Sequence, residues 1–79
     1  MIDVKLIKQR LRKSREKMGY IRRLVAEKTG FGYVTVLEWE THPTRLPNAE
    51  KLAVLCQLYG VSSDYILGFT DDPTMKNNK

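Results

Sequence analysis

Apolar side chains recur along this chain at the three- and four-residue spacing of an α-helix, and no stretch of useful length alternates as a strand does. The clearest stripe is Leu52, Leu55, Cys56 and Tyr59, at positions i, i+3, i+4 and i+7. Similar patterns predict five helices, over residues 4–18, 22–29, 33–40, 49–59 and 63–67. Capping and stop residues mark their ends: Asp3, Gly19, Gly30, Asn48, Gly60, Ser62 or Ser63, and Gly68.

The pattern therefore predicts an all-α protein, a compact five-helix bundle. With 79 residues there is room for one domain, which we place at 1–69. The remaining residues, 70–79, are polar and without period, and we expect them to form a mobile tail. An apolar fraction of 42% and a charged fraction of 29% are typical of a soluble folded domain and exceed what a disordered chain carries.

Several functional classes are excluded by what the chain lacks. No apolar run approaches the roughly 20 residues of a membrane span, so we expect a cytoplasmic protein without a membrane partner. Cys56 has no second cysteine for an intramolecular disulfide, and with His42 it is too little for a zinc site of about four ligands. His42 also lacks a plausible catalytic partner. We expect no enzymatic activity, no cofactor or metal, and no small-molecule ligand.

Positive charge is concentrated in the first third of the chain. The net charge is +5, and ten of the fourteen basic residues but only two of the nine acidic ones lie between positions 5 and 28. Such a basic segment suits a polyanion such as nucleic acid, because phosphate neutralisation releases counterions. A solvated helix face explains the same charge, and charge alone does not choose between these two interpretations.

The second and third predicted helices are joined by Gly30-Phe31-Gly32, a tight turn with a small residue opening the following helix. Two helices joined in this way make a DNA-binding supersecondary unit. Further segments occur in the right order around it: IKQRLRKSR at 7–15, Gly19, VAEK at 25–28, Val36, Trp39-Glu40, Pro47, YGVS at 59–62 and DYILG at 64–68. Over about 7–68 the chain resembles the phage repressor and Cro helix-turn-helix family, the lambda-repressor-like DNA-binding domains.

The resemblance implies a sequence-specific transcriptional regulator of phage or mobile-element type that binds a double-stranded DNA operator. Helix three would lie in the major groove. Arg15 and Glu40 match a family pair that ties helix one to the end of helix three as a partly buried ion pair. By position, the base-facing residues would be Tyr33, Val34, Thr35, Leu37 and Glu38, and the phosphate-contacting residues Arg22, Arg23, Thr41 and Arg45.

The chain departs from the family at the start of helix two. A capping box is usual there, but its two positions hold Ile21 and Leu24, a loss that should cost about 1 kcal/mol of helix stability. Helix three has no Arg, Lys, Asn or Gln between Gly32 and Glu40, the residues that usually bind base edges. Helix three can then contact base edges in three ways: by apolar contact with thymine methyl groups, by single hydrogen bonds from a hydroxyl, and by a hydrogen bond that Glu38 accepts from cytosine N4.

These departures open an alternative function. Exposed apolar residues rimmed by arginines also suit a protein-binding surface, so the helix-turn-helix could dock on a partner regulatory protein, for example as an antirepressor that masks a repressor's DNA-binding face. Alternatively, Ile21 and Tyr33 fold back on each other as a local hydrophobic staple. In the protein-binding alternative, the apolar patch would consist of Ile21, Leu24, Tyr33, Val34 and Leu37.

DNA binding by so small a domain favours a homodimer on two half-sites about one helical turn apart. Helix five is the candidate interface. The candidate dimer residues lie around this helix and have a second interpretation, as intramolecular core: Val61, Tyr65, Ile66 and Phe69.

Overall fold

Five helices account for most of the computed structural model, which describes residues 2–75. No strand occurs among those residues, and the predicted all-α class is confirmed. The predicted helix bounds differ from the observed ones by one residue at most. The helices are α1 (Val4–Lys17), α2 (Arg22–Thr29), α3 (Tyr33–Thr41), α4 (Ala49–Tyr59) and α5 (Ser63–Leu67).

Side-chain caps begin three of the helices as the sequence predicts. Asp3 accepts a hydrogen bond from the Leu6 backbone N–H at 3.2 Å, and Asn48 accepts one from that of Lys51 at 2.9 Å. Ser62 caps α5. In contrast, the N-cap residue of α2 is Ile21, which makes no side-chain cap, so the first backbone donors of α2 lack the partner that a Ser or Thr would supply.

The core lies where α3 packs against α1 and α2, and where α5 packs against α1 and α4. Trp39 of α3 meets Phe31 of the preceding turn edge to face, with ring centroids 5.4 Å apart. Each apolar side chain removed from water contributes about 1.5–3 kcal/mol to folding. The buried apolar residues are Ile7, Leu11, Val25, Val36, Trp39, Leu52, Leu55, Cys56, Tyr59, Val61 and Ile66.

Two of the four residues considered for a dimer through helix five are therefore intramolecular core. Ile66 is fully buried and Val61 nearly so, because α5 needs them to pack on the rest of the bundle. Tyr65 is half-buried, and the Arg10 guanidinium lies 4.2 Å above the centroid of its ring. Of the four, Phe69 alone is largely exposed, at 68%.

The segment that follows α5 packs back onto the domain. Arg10 donates hydrogen bonds to the Thr70 carbonyl and to the Asp71 carboxylate, both at 2.7 Å. The backbone N–H of the α5 N-cap donates to the Pro73 carbonyl at 2.9 Å. The first residues of the tail that we expect to be mobile thus make hydrogen bonds to the domain, because Arg10 supplies charged donors that the polar composition does not reveal. Residues 76–79 lie outside the described part of the chain.

Cys56 is a buried free thiol on α4. Burial raises its pKa from 9.0 to about 11, so the thiol stays protonated at neutral pH. Among the described residues, no three His, Cys, Asp or Glu side chains are placed to hold a metal ion. None of the helices within 2–75 is long and apolar enough to cross a membrane.

Candidate nucleic-acid interface

The turn between α2 and α3 sets the direction of α3 relative to α2. Gly30 takes a left-handed conformation, with φ of 81°, and donates its N–H to the Ala26 carbonyl at 2.8 Å. Glycine adopts this conformation without the steric cost that a Cβ would add. The Thr29 hydroxyl accepts from the Phe31 N–H at 3.1 Å, and α3 begins two residues later. Local hydrogen bonds therefore hold the conformation of the turn.

The first turn of α3 points partly into solvent. Val36 and Trp39 face the core, whereas Tyr33 is 47% exposed and Val34 is 60% exposed. At the start of α2, Ile21 is 66% exposed. Because Ile21 and Tyr33 each keep about half or more of their surface open, they do not bury each other as a staple. The other residues assigned by position are half-buried: Leu24, Thr35, Leu37 and Glu38.

Ile21 and Tyr33 border one shallow surface depression of about 270 Å³ together with arginines. Arg15, Arg22 and Arg23 complete its lining, and Arg23 is exposed. Apolar carbon and guanidinium groups thus share one surface at the start of α2 and α3. Such a surface can contact an apolar group and an anion simultaneously.

The Glu40 carboxylate is held by two arginines. Arg15 donates from Nε to Oε2 at 2.8 Å and from Nη2 to Oε1 at 3.0 Å, and Arg22 donates from Nε to Oε1 at 2.9 Å. The Glu40 side chain is only 2% exposed and that of Arg15 8%. The bond to Glu40 raises the pKa of Arg15. The pair expected from sequence is present, and Arg22 is an additional member.

Arg22 was expected to hold phosphate, and its link to Glu40 changes how it could do so. An arginine has five N–H donors in a planar fork. Nε is directed to Glu40, so a phosphate would bind at the Nη groups. The ion pair then orients the guanidinium at the N-terminus of α2, where backbone N–H groups also favour an anion. No sequence signal indicated this second role.

Two residues assigned to different roles contact each other. Arg45 donates from Nη1 to Oε1 of Glu38 at 2.8 Å, in an ion pair that is largely open on the arginine side. In this arrangement, the carboxylate expected to face bases is engaged by the arginine expected to hold phosphate. The two residues stand seven positions apart across the end of α3, so no helical spacing rule could predict the contact. Thr41 donates its hydroxyl to the Leu37 carbonyl at 2.8 Å.

Lys8 is a buried structural cation that the sequence analysis did not single out. Its Nζ donates to the carbonyls of Glu38 at 3.1 Å and Trp39 at 3.0 Å, and also to that of Arg45. These contacts join the last turn of α3 to the following loop. Burial lowers the pKa of Lys8. A signal was available, because Lys8 and Arg15 continue the inward stripe of α1 at positions 4, 8, 11 and 15.

Part of the positive charge in the first third of the chain is thus bound to groups inside the fold. Lys8, Arg10 and Arg15 all bind carbonyls or carboxylates of the domain. The charge count from sequence therefore overstates what is available to a polyanion. Exposed cations remain beside the first turn of α3 and along α1, namely Arg23, Lys5, Arg12, Lys13 and Lys17.

Comparison with known proteins agrees with this architecture. The sequence model of a helix-turn-helix family, HTH_3, matches residues 11–66. The chain belongs to this family. The resemblance to the repressor and Cro type is confirmed by that match. The helix-turn-helix formed by α2 and α3 lies entirely within the matched region.

Two regulators of Bacillus subtilis (strain 168) are similar to this helix-turn-helix chain. One is the uncharacterized HTH-type transcriptional regulator YobD, 41% identical over 68 residues that make up 86% of the chain and 60% of YobD. The other is the HTH-type transcriptional regulator ImmR, 38% identical over 69 residues, 87% of the chain and 53% of ImmR. The chain thus spans little more than half the length of these relatives. No solved structure is significantly similar to it.

Proposed function

We propose that this protein is a sequence-specific DNA-binding transcriptional regulator of phage or mobile-element type. The observation that carries the proposal is the outward first turn of α3, with Tyr33 and Val34 exposed and Arg23, at the start of α2, beside Tyr33. A helix presented in this way fits the major groove, which is wide enough for one helix. The similarity to HTH-type transcriptional regulators supports the same function.

In this proposal α3 lies in the major groove of an operator and the flanking cations bind phosphates on either side. Arg22 and Arg23 lie at the N-terminus of α2, Thr41 is the last residue of α3, and Arg45 follows it. For Arg45 to reach a phosphate, its ion pair with Glu38 must open, which costs little because exposed pairs contribute only about 0–1 kcal/mol. The base-facing residues are Tyr33, Val34, Thr35, Leu37 and Glu38.

A single small domain offers few phosphate contacts, so we propose that a homodimer occupies two half-sites about one helical turn apart. With Val61 and Ile66 in the core, the α5 side would contribute Phe69 and the exposed part of Tyr65 to such a dimer. Binding the second half-site then becomes intramolecular, which raises the overall affinity without any new base contact.

A salt titration of binding to mixed genomic duplexes tests the proposal. We expect measurable affinity at low salt, with a log–log slope of several units, because each phosphate contact releases counterions. Arg23→Ala should lower the slope by about one. Lys13→Ala removes the same charge from the solvent face of α1 and should change the slope less. An absence of binding at low salt contradicts DNA binding altogether.

The exposed apolar surface at Ile21, Tyr33 and Val34 favours a second candidate function. The protein would act as an antirepressor that binds the DNA-binding face of a partner regulatory protein, with Leu24 and Leu37 at the edge of the contact. Adding this protein to a repressor–operator complex of the Cro type should then release the DNA, and Val34→Asp should abolish the release. Release that persists in Val34→Asp and Ile21→Asp contradicts this function.

A further inference from the structure

The outward surface of α3 is chemically poor in hydrogen-bonding groups for base edges. The side chains that bind two base atoms at once are those of Arg, Lys, Asn and Gln, and α3 holds none of them. Glu38 can accept one hydrogen bond from cytosine N4, and it does so when Arg45, which donates to its Oε1 at 2.8 Å, turns to a phosphate instead. A hydrogen-bonding code for bases is therefore nearly absent from this helix.

The outward surface of α3 is formed largely by apolar side chains instead. Val34 is 60% exposed and Tyr33 47%, and Leu37, one turn after Val34, is half-buried. Residues three apart on a helix share a face, so Val34 and Leu37 form one short apolar strip. Ile21 extends the apolar surface onto the start of α2, across the depression that Tyr33 borders.

The charge around this strip favours DNA as its occupant. Arg22 and Arg23 line the depression, and Glu40, the carboxylate that Arg22 contacts, is paired with two arginines and has a side chain that is almost fully buried. The apolar surface that Ile21 and Tyr33 form beside the strip thus has cations at one edge. A duplex presents the complementary arrangement, with apolar groups inside a groove that is walled by phosphates.

We propose that the protein reads its operator through the C5-methyl groups of thymine, which Val34, Leu37 and Tyr33 contact, while the arginines bind only phosphates. The proposal rests on the DNA-binding function above. Thymine carries the one apolar group on the major-groove edge of the bases, so an apolar helix can distinguish only its presence and position. Each methyl buried against carbon should contribute about fourfold in affinity.

Replacing thymine with uracil is a direct test, because uracil keeps every hydrogen-bonding group of thymine and lacks only the methyl. Duplexes selected by this protein from a randomised library would be resynthesised with uracil at one thymine at a time. We expect at least two positions in each half-site at which uracil weakens binding about fourfold, with an unchanged salt slope. Where cytosine in place of a critical thymine abolishes binding, 5-methylcytosine should recover part of it.

Variants assign the methyl contacts to side chains. Val34→Ala should bind thymine and uracil duplexes equally at one position, where the unsubstituted protein prefers thymine about fourfold. Val54→Ala makes the same change at an exposed site on α4 and should leave every thymine to uracil ratio unchanged. Thermal unfolding of both variants confirms that they are folded, since neither position is in the core.

The outcomes separate this inference from the proposed function. Equal affinity for thymine and fully uracil-substituted duplexes, with binding otherwise sequence-specific, overturns methyl reading and leaves DNA binding intact. Retention of the full thymine preference in Val34→Ala and Leu37→Ala overturns the residue assignment. Failure to select or bind any duplex at low salt overturns the proposed function itself, and methyl reading with it.

Discussion

Arg22 and Arg15 donate to the same oxygen of one carboxylate, Oε1 of Glu40, at 2.9 and 3.0 Å. Arg22 is the first residue of α2, Arg15 lies near the end of α1, and Glu40 lies in the last turn of α3. One buried acid thereby joins the three helices that form the candidate interface. Arg22 consequently belongs both to the groups that would contact DNA and to the groups that stabilise the fold.

Glu40→Gln should destabilise the protein by about 3–5 kcal/mol, because it leaves the buried Arg15 with only the half-exposed carboxylate of Glu16, 3.9 Å away, as a counter-charge. Urea unfolding followed by circular dichroism would measure the loss. The double variant Arg15→Met/Glu40→Leu should lose less than the sum of its two single variants, since it removes both charges together. Additive single losses, or a cost below about 1 kcal/mol for Glu40→Gln, would contradict the buried pair.

Lys8→Met should lower stability by about 1–3 kcal/mol, because the carbonyls of Glu38 and Trp39 lose their charged donor while the side-chain length is kept. Lys5→Met is a matched control, since Lys5 is exposed on the same helix. The free energy of unfolding of both variants would be compared in urea. Equal stability of the two variants would show that the Lys8 contacts to α3 contribute nothing.

Arg10→Ala should cost about 1.5–3 kcal/mol, whereas Asp71→Ala should cost less than about 1 kcal/mol. The difference arises because Arg10 also donates to the Tyr65 and Thr70 carbonyls, while the Asp71 carboxylate is open to solvent. Hydrogen exchange of the Ser62 amide, which bonds to Pro73, would report whether the segment after α5 detaches. Equal losses in both variants would assign the anchoring to the ion pair instead.

Ile21→Thr should stabilise the protein by about 1 kcal/mol relative to Ile21→Val. The two side chains have the same shape, and only threonine can accept a hydrogen bond from a backbone N–H in the first turn of α2. Little apolar burial is lost, because Ile21 is mostly exposed. Thermal melts of the pair give the comparison. Identical melting temperatures would mean that the absent cap does not limit α2.

Cys56 should react slowly with iodoacetamide in the folded protein at pH 8. A pKa of about 11 in place of 9.0 lowers its thiolate fraction about a hundredfold, and only the thiolate is nucleophilic. The rate should rise with pH toward 11 and should reach that of an ordinary thiol in urea. Mass spectrometry would follow the modification. A folded-state rate close to the unfolded-state rate at pH 8 would place Cys56 outside the core.

Much of the fold could be predicted because the signals for helices are local. Apolar spacing, N-caps such as Asp3 and Asn48, and stops such as Gly30 and Gly60 act within a few residues of one another. The helix bounds consequently came out within one residue. The exposure of Val34 beside the burial of Val36 also follows from helical periodicity, once the neighbouring helices define the inside.

What the sequence alone determined is therefore the order and ends of the helices, the family, and the absence of paired base-reading donors from α3. The partners of the charged side chains were decided only by the tertiary structure. Lys8, Arg10 and Arg22 look alike in a charge count, yet each binds a group more than fifteen positions away. A long cation can reach many acceptors, and only packing of the helices selects one, which is why the interface charge could not be read from the sequence.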